Sequence, residues 1–308
     1  MSPSILHPAL GSGVVEAIRV ADRVGLLAAL EGGVAGTGPE LARRLGLHER
    51  ATGELLDLLS VLGFVHSERG RFERTQTKLD PWPRLETYVR SGEVLTCIDE
   101  TAERGPTYAE VVDVLAERFR EPALELAAAL DSAGSVLDVG AGSGVWSLAM
   151  ASRCQETRVL ALDLPAVLPR FSRRAASLGL ADRCDVVEGD YFAVSLGERR
   201  FDRVVLANVL HLESPERAAM LVRRFAESVA PGGELVVVDC VSRGELGEEL
   251  ARTAYSLHLG MRTSVGGVHA PPCVRRWCSE AGLTETSILS LKSAPVMGAI
   301  RATRARTA

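Results

Sequence analysis

Val136-Leu137-Asp138-Val139-Gly140-Ala141-Gly142-Ser143-Gly144 is the stretch on which the fold turns. A short apolar run ends in a carboxylate and then in three glycines at alternate positions. An apolar helical segment, Val145–Ala151, follows directly. In an α/β sheet the turn after the first strand is where nucleotide-like ligands bind. Glycine there permits close backbone approach and positive φ. The dinucleotide pattern Gly-x-Gly-x-x-Gly fails in both registers. Counted from Gly140 its third glycine falls on Val145, and counted from Gly142 it falls on Ser147. Asp138 at the strand end would repel a pyrophosphate and suits a ligand carrying a cationic ammonium.

From this stretch onward strands and helices alternate, the pattern of a parallel sheet covered on both faces. Strands are expected at Ser135–Val139, Arg158–Leu162, Cys184–Glu188, Asp202–Ala207 and Glu234–Asp239. Helices are expected at Val145–Ala151, Ala166–Leu178 and Pro215–Val229. The last two strands, Glu285–Leu291 and Val296–Ala302, have only Lys292–Pro295 between them. That is too short for a parallel crossover, so they pair antiparallel. Two further acids stand at strand ends. Asp163 is placed to accept both hydroxyls of a ribose. Asp190 is placed to accept an adenine amino group, with Tyr191 and Phe192 beside it to pack on the adenine face.

Upstream, helical spacing over Val14–Leu30, a short helix at Glu40–Leu45 and a third at Glu49–Leu62 precede Phe64–His66 and Arg71–Glu73, which flank a turn. This is a winged-helix pattern with poor credentials for DNA. Residues 1–75 hold eight arginines against nine acids. The third helix carries Glu49, Glu54 and Asp57 against Arg50, beside an apolar stripe of Leu55, Leu58, Leu59 and Leu62. A helix in a major groove needs donors and positive charge. Dimerisation or lid packing suits this one better. Pro81-Trp82-Pro83 marks a boundary, and helices follow at Tyr108–Phe119 and Pro122–Leu130.

The 308 residues are 46% hydrophobic and 24% charged, with a formal net charge of −5, a composition with room for two domains and no bias toward a polyanion. No apolar run reaches the length of a membrane span. Met1–Ala9 lacks the basic and apolar segments of a secretory signal. Six cysteines without a Cys-x-x-Cys pair suggest neither a disulfide scaffold nor a structural zinc site. A reduced, cytoplasmic protein is expected.

Asp138–Gly144, Leu162-Asp163-Leu164-Pro165, Gly189-Asp190-Tyr191-Phe192 and Pro231-Gly232-Gly233-Glu234-Leu235 together resemble the S-adenosylmethionine-dependent methyltransferases. The nearer match is to the small-molecule O-methyltransferases of plant and bacterial secondary metabolism, antibiotic biosynthesis included. The resemblance covers nearly the whole chain. It implies an α/β fold: a Rossmann-like methyltransferase sheet ending in an antiparallel hairpin, with an N-terminal all-α winged-helix domain. Residues 1–80 would form a winged-helix-like dimerisation domain, 81–130 a helical linker and pocket lid, and 131–308 the S-adenosylmethionine-binding domain. The implied cofactor is S-adenosyl-L-methionine. Asp138, Gly140, Gly142 and Gly144 would hold its methionine end, Asp163 its ribose and Asp190, Tyr191 and Phe192 its adenine, with Leu164 and Asn208 completing the set. A small-molecule acceptor and a homodimer are implied, with no nucleic acid and no membrane.

A phenol titrates near 10 and histidine near 6.5, so histidine is a natural base for phenol methylation at neutral pH. The resemblance lays the family's Leu-His-Asp-Trp segment over Leu210–Glu213, which makes His211 the base and Asp239 its orienting acid. It also lays Gly-Gly-Lys-Glu over Gly266–His269, so His269 stands where a second acid is expected. Two explanations follow. His211 and His269 contact a substrate already carrying negative charge, or they join Asp239 or Glu213 in a two-histidine, one-carboxylate metal triad. The site is expected to hold no metal. Thr96–Tyr108 and Ala254–Thr263 are expected to line the acceptor pocket, and His258 to pack within its helix. C-methylation of an activated carbon and a non-methylating or sensor role are the alternatives to O-methylation.

Overall fold

In a computed structural model, residues 8–75, 85–94, 98–99, 101–241, 246–294 and 296–306 are described. The boundary expected at Pro81–Pro83 lies outside them. The chain divides into two units, residues 1–83 and 84–308.

The first unit runs α1 (Pro8–Arg23), β1 (Gly36–Thr37), α2 (Gly38–Leu45), α3 (Glu49–Val61), β2 (Val65–Glu68) and β3 (Arg71–Arg74). The helix expected over Val14–Leu30 stops at Arg23, because Gly25 takes φ +73°. Residues Ala28–Gly33 form a separate 3₁₀ turn. β1 was not expected. It adds to β3, setting Gly36 opposite Phe72 and Thr37 opposite Arg71. Thr37 caps α2 by a reciprocal pair of bonds with Glu40. The apolar stripe of α3 is rotated from the expected one. Thr52, Leu56 and Leu59 are buried, whereas Leu55, Leu58 and Leu62 are half-buried. Leu56 and Leu59 close the core of this unit with Leu26, Leu30, Leu41, Val65 and Phe72, and Leu55 packs against it.

The second unit opens with α4 (Leu85–Ser91), α5 (Thr101–Arg118) and α6 (Arg120–Ala129). Then come β4 (Ser135–Val139), α7 (Val145–Arg153), β5 (Arg158–Asp163), α8 (Leu168–Ser177), β6 (Cys184–Glu188), β7 (Phe201–Ala207), α9 (Pro215–Ala226) and β8 (Val229–Cys240). α10 (Leu246–Gly260), α11 (Pro271–Glu280), β9 (Thr284–Ser290) and β10 (Met297–Thr303) complete it. Among the described residues, seven strands form one sheet in the order β6-β5-β4-β7-β8-β10-β9. Pairing is parallel from β6 through β8 and antiparallel at β8–β10 and β10–β9. The closing hairpin is thus folded back, with its second strand inside its first.

Alternation along the strands builds two cores. Leu137, Val139, Val204, Leu206, Leu235 and Val237 face α9 and α11, while Val136, Val205, Ala207, Val236 and Val238 face α6, α7 and α8. The order of the strands reverses between β4 and β7, and the loops that leave those two strands therefore part on opposite faces. An open α/β sheet binds its ligand in the crevice this creates.

Candidate active site

A cleft lies at that reversal, lined by Gly140 and Gly142 after β4, Asp163 ending β5, Asp190 after β6 and Asn208 after β7. α5 supplies another wall through Arg104, Tyr108 and Val112. The glycines are required where they stand. Gly140 has φ +67°, and a Cβ there would come within 2.7 Å of Val209. Its N–H donates to the Leu162 carbonyl at 2.8 Å, tying the loop to the end of β5. Asp163 Oδ2 accepts the Gly142 N–H and Oδ1 the Leu164 N–H, both at 2.7 Å. Each oxygen keeps a second lone pair, the requirement for gripping a vicinal diol. Burial raises the Asp163 carboxyl above its ordinary value, against the pull of those two N–H groups and Arg104. Asn208 adopts φ +56°, and its N–H donates to the Val238 carbonyl. An open glycine-rich backbone, a carboxylate pair of lone pairs and apolar walls at Trp146 and Phe119 fit S-adenosylmethionine.

Not every expected contact is on this wall. Asp138 shares the face of Val136, so it points beneath α7, where it is 1% exposed and accepts the Ser147 hydroxyl at 2.5 Å. Burial, opposed by that bond and reinforced by the charge of Asp163, pushes its carboxyl up to about 7. Gly144 (φ +75°) turns toward Phe171 rather than into the cleft. Tyr191 and Leu164 line the cleft. Phe192 instead packs edge-on against Tyr191 at 5.1 Å, with the Arg217 guanidinium 4.1 Å from its ring centre.

His211 lies in a 3₁₀ turn, Leu210–Leu212, just beyond β7 and is 4% exposed. Its Nδ1 is 2.8 Å from Asp239 Oδ1. Burial raises the Asp239 carboxyl, but the His211 charge and hydrogen bond and the Cys240 N–H outweigh it and hold the group below its ordinary value. An ionised Asp239 only accepts, so Nδ1 carries the proton and Nε2 presents a lone pair. Nε2 lies 3.1 Å from the Tyr255 hydroxyl on α10. The Gly266-Gly267 pair backs this turn. Gly267 N–H donates to the His211 carbonyl, and a Cβ on Gly266 would come within 2.5 Å of that oxygen.

His269 does not support His211. Its Nε2 faces the carbonyls of Leu210 at 2.9 Å and Glu213 at 3.2 Å, and its ring packs on Trp277. Both partners are acceptors, so Nε2 carries a proton and braces the 210–213 turn from behind. Among the described residues no three His, Cys, Asp or Glu side chains converge as metal ligands. Of the two expected pocket stretches, the first lines the cleft through Arg104 and Tyr108, and the second touches the first: Ile98 N–H donates to the Arg262 carbonyl, and Asp99 accepts the Thr263 hydroxyl. Residues 96, 97 and 100 lie outside the described residues.

Three residues carry weight beyond what the sequence announced, Glu213 having been weighed there only as a metal ligand. Glu213, 1% exposed, accepts from Arg104 at 2.8 Å, Tyr191 at 2.6 Å and Arg217 at 2.5 Å. Arg104, 8% exposed, also donates to the Ile98 carbonyl and to the Tyr191 hydroxyl. This buried network ties α5 to the cleft wall and to the turn that carries His211. Tyr255 is the third. A buried acid among leucines, Leu210 to Leu212, was the one local signal available.

The chain is similar to known proteins in sequence and in fold. Residues 98–283 match the O-methyltransferase domain family. The chain is 26% identical over 281 residues to the tetracenomycin polyketide synthesis 8-O-methyl transferase of Streptomyces glaucescens, covering 80% of this chain and 81% of that one. It is 23% identical over 294 residues to an L-tyrosine C(3)-methyltransferase of Streptomyces lavendulae, covering 84% and 80%. In fold it is similar to an O-methyltransferase from neocarzinostatin biosynthesis, solved with S-adenosylmethionine and 2-hydroxy-5-methyl naphthoic acid. The TM-score there is 0.61 at 21% identity over 94% of this chain and 95% of that one. The cleft fits S-adenosylmethionine, a histidine–aspartate pair stands beside it, and more than half of the sequence matches one family: the chain belongs to the O-methyltransferase domain family and is an S-adenosylmethionine-dependent methyltransferase acting on a small molecule.

Proposed function

We infer that the protein methylates a hydroxyl of a small aromatic acceptor, with His211 receiving the proton. The observation that carries this is the Asp239–His211 pair, Nδ1 to Oδ1 at 2.8 Å, which leaves Nε2 as the basic atom. S-Adenosylmethionine supplies an electrophilic methyl carbon on a positively charged sulfur. Asp163, Gly142 and Asn208 would hold it, and Asp190 and Tyr191 would meet its adenine. The walls of the cleft keep water from competing for the methyl group. Asp239 stabilises the imidazolium that forms when the acceptor loses its proton. The hydroxylated aromatic acid bound to the neocarzinostatin relative suggests the acceptor class.

His211→Ala tests this with 2-hydroxy-5-methyl naphthoic acid and simple phenols as acceptors. Loss of a positioned base lowers kcat by about 10²- to 10⁴-fold while S-adenosylhomocysteine still binds. An unchanged kcat would remove His211 from the reaction.

C-methylation is the second reading, favoured by the L-tyrosine C(3)-methyltransferase relative. The chemical shift of a ¹³C-labelled product methyl separates carbon-bound from oxygen-bound products. We further assign residues 1–80 to dimerisation, 81–130 to a pocket lid and the protein to the cytoplasm. Sedimentation of the full chain tests the dimer.

A further inference from the structure

His211 does not itself line the cleft. It is 4% exposed, and the cleft wall beside it is made by Val209 and Leu212. Its only basic nitrogen already has a partner, the Tyr255 hydroxyl at 3.1 Å, with the two rings edge-to-face. Tyr255 itself is partly exposed. It lies one helical turn before Leu259 and on the same face of α10. Leu259 packs with Ile98, Leu212 and Tyr108, and the last two line the cleft. The Tyr255 hydroxyl therefore stands on Nε2 from a helix that packs against two cleft-lining residues.

We propose that Tyr255 is a proton relay in the methyl transfer, its hydroxyl taking the acceptor's proton while handing its own to His211 Nε2. The proposal rests on the assignment of His211 as base. Directions along the chain are fixed by the groups at its far end. Ionised Asp239 forces Nδ1 to donate, so Nε2 accepts and Tyr255 donates. Burial and then the Asp239 charge push the Tyr255 hydroxyl well above its ordinary value of 10, so it holds a proton to give. The other titratable groups acting on it are Tyr108 from α5, Cys240 at the end of β8 and Arg262 just past α10.

The step balances. The acceptor O–H bond breaks and its proton joins Tyr255 Oη. The original tyrosine proton joins His211 Nε2. The acceptor oxygen bonds the methyl carbon as the carbon–sulfur bond breaks, its electron pair staying on sulfur. A neutral ether, a neutral thioether, a neutral tyrosine and an imidazolium facing Asp239 result. The positive charge that began on sulfur ends on His211, and the proton then leaves to solvent.

The test compares wild type, Tyr255→Phe, His211→Ala and the double variant, with S-adenosylhomocysteine release as readout. Acceptors are 2-hydroxy-5-methyl naphthoic acid, phenol and 4-nitrophenol. Melting temperature and S-adenosylhomocysteine affinity serve as controls for folding. Tyr255→Phe is expected to lower kcat with phenol about 100-fold at unchanged KM. With 4-nitrophenol, already ionised at pH 8, the loss should be under about threefold, because no proton remains to be relayed. Its phenol rate should rise about tenfold per pH unit, following the phenolate fraction, where the wild-type rate levels off. The double variant should be no slower than the slower single one, since the two act as a unit. If His211→Ala is slow and Tyr255→Phe retains wild-type kcat and pH profile, the relay is wrong and the base stands. If His211→Ala is also unimpaired, or none of the three is methylated, the assignment beneath it falls and the relay falls with it.

Discussion

Replacing Glu213 with glutamine removes one charge and almost no volume, and it strikes the most connected buried group near the cleft. Glu213 is 1% exposed and Arg104 8% exposed, with 2.8 Å between Oε1 and Nη1. At that distance the attraction is about 6 kcal/mol for an effective dielectric of 20. It offsets desolvation of several kcal/mol per ion, so the intact pair contributes little net stability. Loss of one member is different, since the Arg104 charge then stays buried without compensation. Such losses cost about 3–5 kcal/mol. Arg217, half-exposed on the other carboxylate oxygen, adds at most about 1 kcal/mol. For a unit of this size, about 2–4 °C per kcal/mol, Glu213→Gln should lower the melting temperature by roughly 6–20 °C. Urea unfolding followed by circular dichroism should show the same loss at an unchanged slope. The double change Glu213→Leu with Arg104→Met should recover part of it, because apolar residues replace a buried pair at little cost while the Tyr191 hydroxyl loses its acceptor. A Glu213→Gln loss under about 1 kcal/mol, or a double variant less stable than either single one, would refute the account of a charge held buried by its partner.

Two further perturbations address the loop. In Asp138 the folded-state value of about 7 exceeds the ordinary 3.8. The folded chain therefore binds more protons across that interval, and stability falls as pH rises through it, by about 4 kcal/mol in all. Asp138→Asn, which still accepts from Ser147, should match wild type near pH 4 and exceed its stability at pH 8; parallel pH dependences for the two proteins would contradict this. Gly144→Ala would place a Cβ 2.5 Å from Phe171 at φ +75°. Strain and overpacking together cost about 2–5 kcal/mol, and calorimetry showing a loss below about 1 kcal/mol would mean that the loop repacks.

The parallel sheet was legible because each strand is a short apolar run bounded by turn residues, and because the loop chemistry sits at strand ends, where such sheets bind ligands. Asp163, Asp190 and Gly142 could be placed from that alone. Asp138 shows its limit. Period-two alternation sends it under α7 with Val136, but whether a strand-end carboxylate points to the loop or to the core depends on where the next helix lies. Pro106 hid the first turns of α5, which begins at Thr101, and with them Arg104. Nothing near Arg104 in sequence marks its role, since Tyr191 and Glu213 lie 87 and 109 residues away. His269 was set beside His211 by its position after Gly266-Gly267. The glycines do approach His211, but through its carbonyl, and that leaves the His269 ring on the far side of the turn.

The folded-back hairpin also sets a timetable for synthesis. Asp239 lies on β8, and the partner on its outer side is Gly298 of β10. About sixty residues separate the two, which at 5–20 residues per second is roughly 3 to 12 s of elongation. Through that interval the strand bearing Asp239 is an open edge of the nascent sheet, able to pair with whatever strand it meets. The glycine loop and Asp163, proposed to hold the methyl donor, have been made well before. The strand carrying Asp239, the acid proposed to orient His211, gains its outer partner only when β10 arrives. A break in translation between residues 240 and 297 would leave the strand bearing Asp239 without its outer partner.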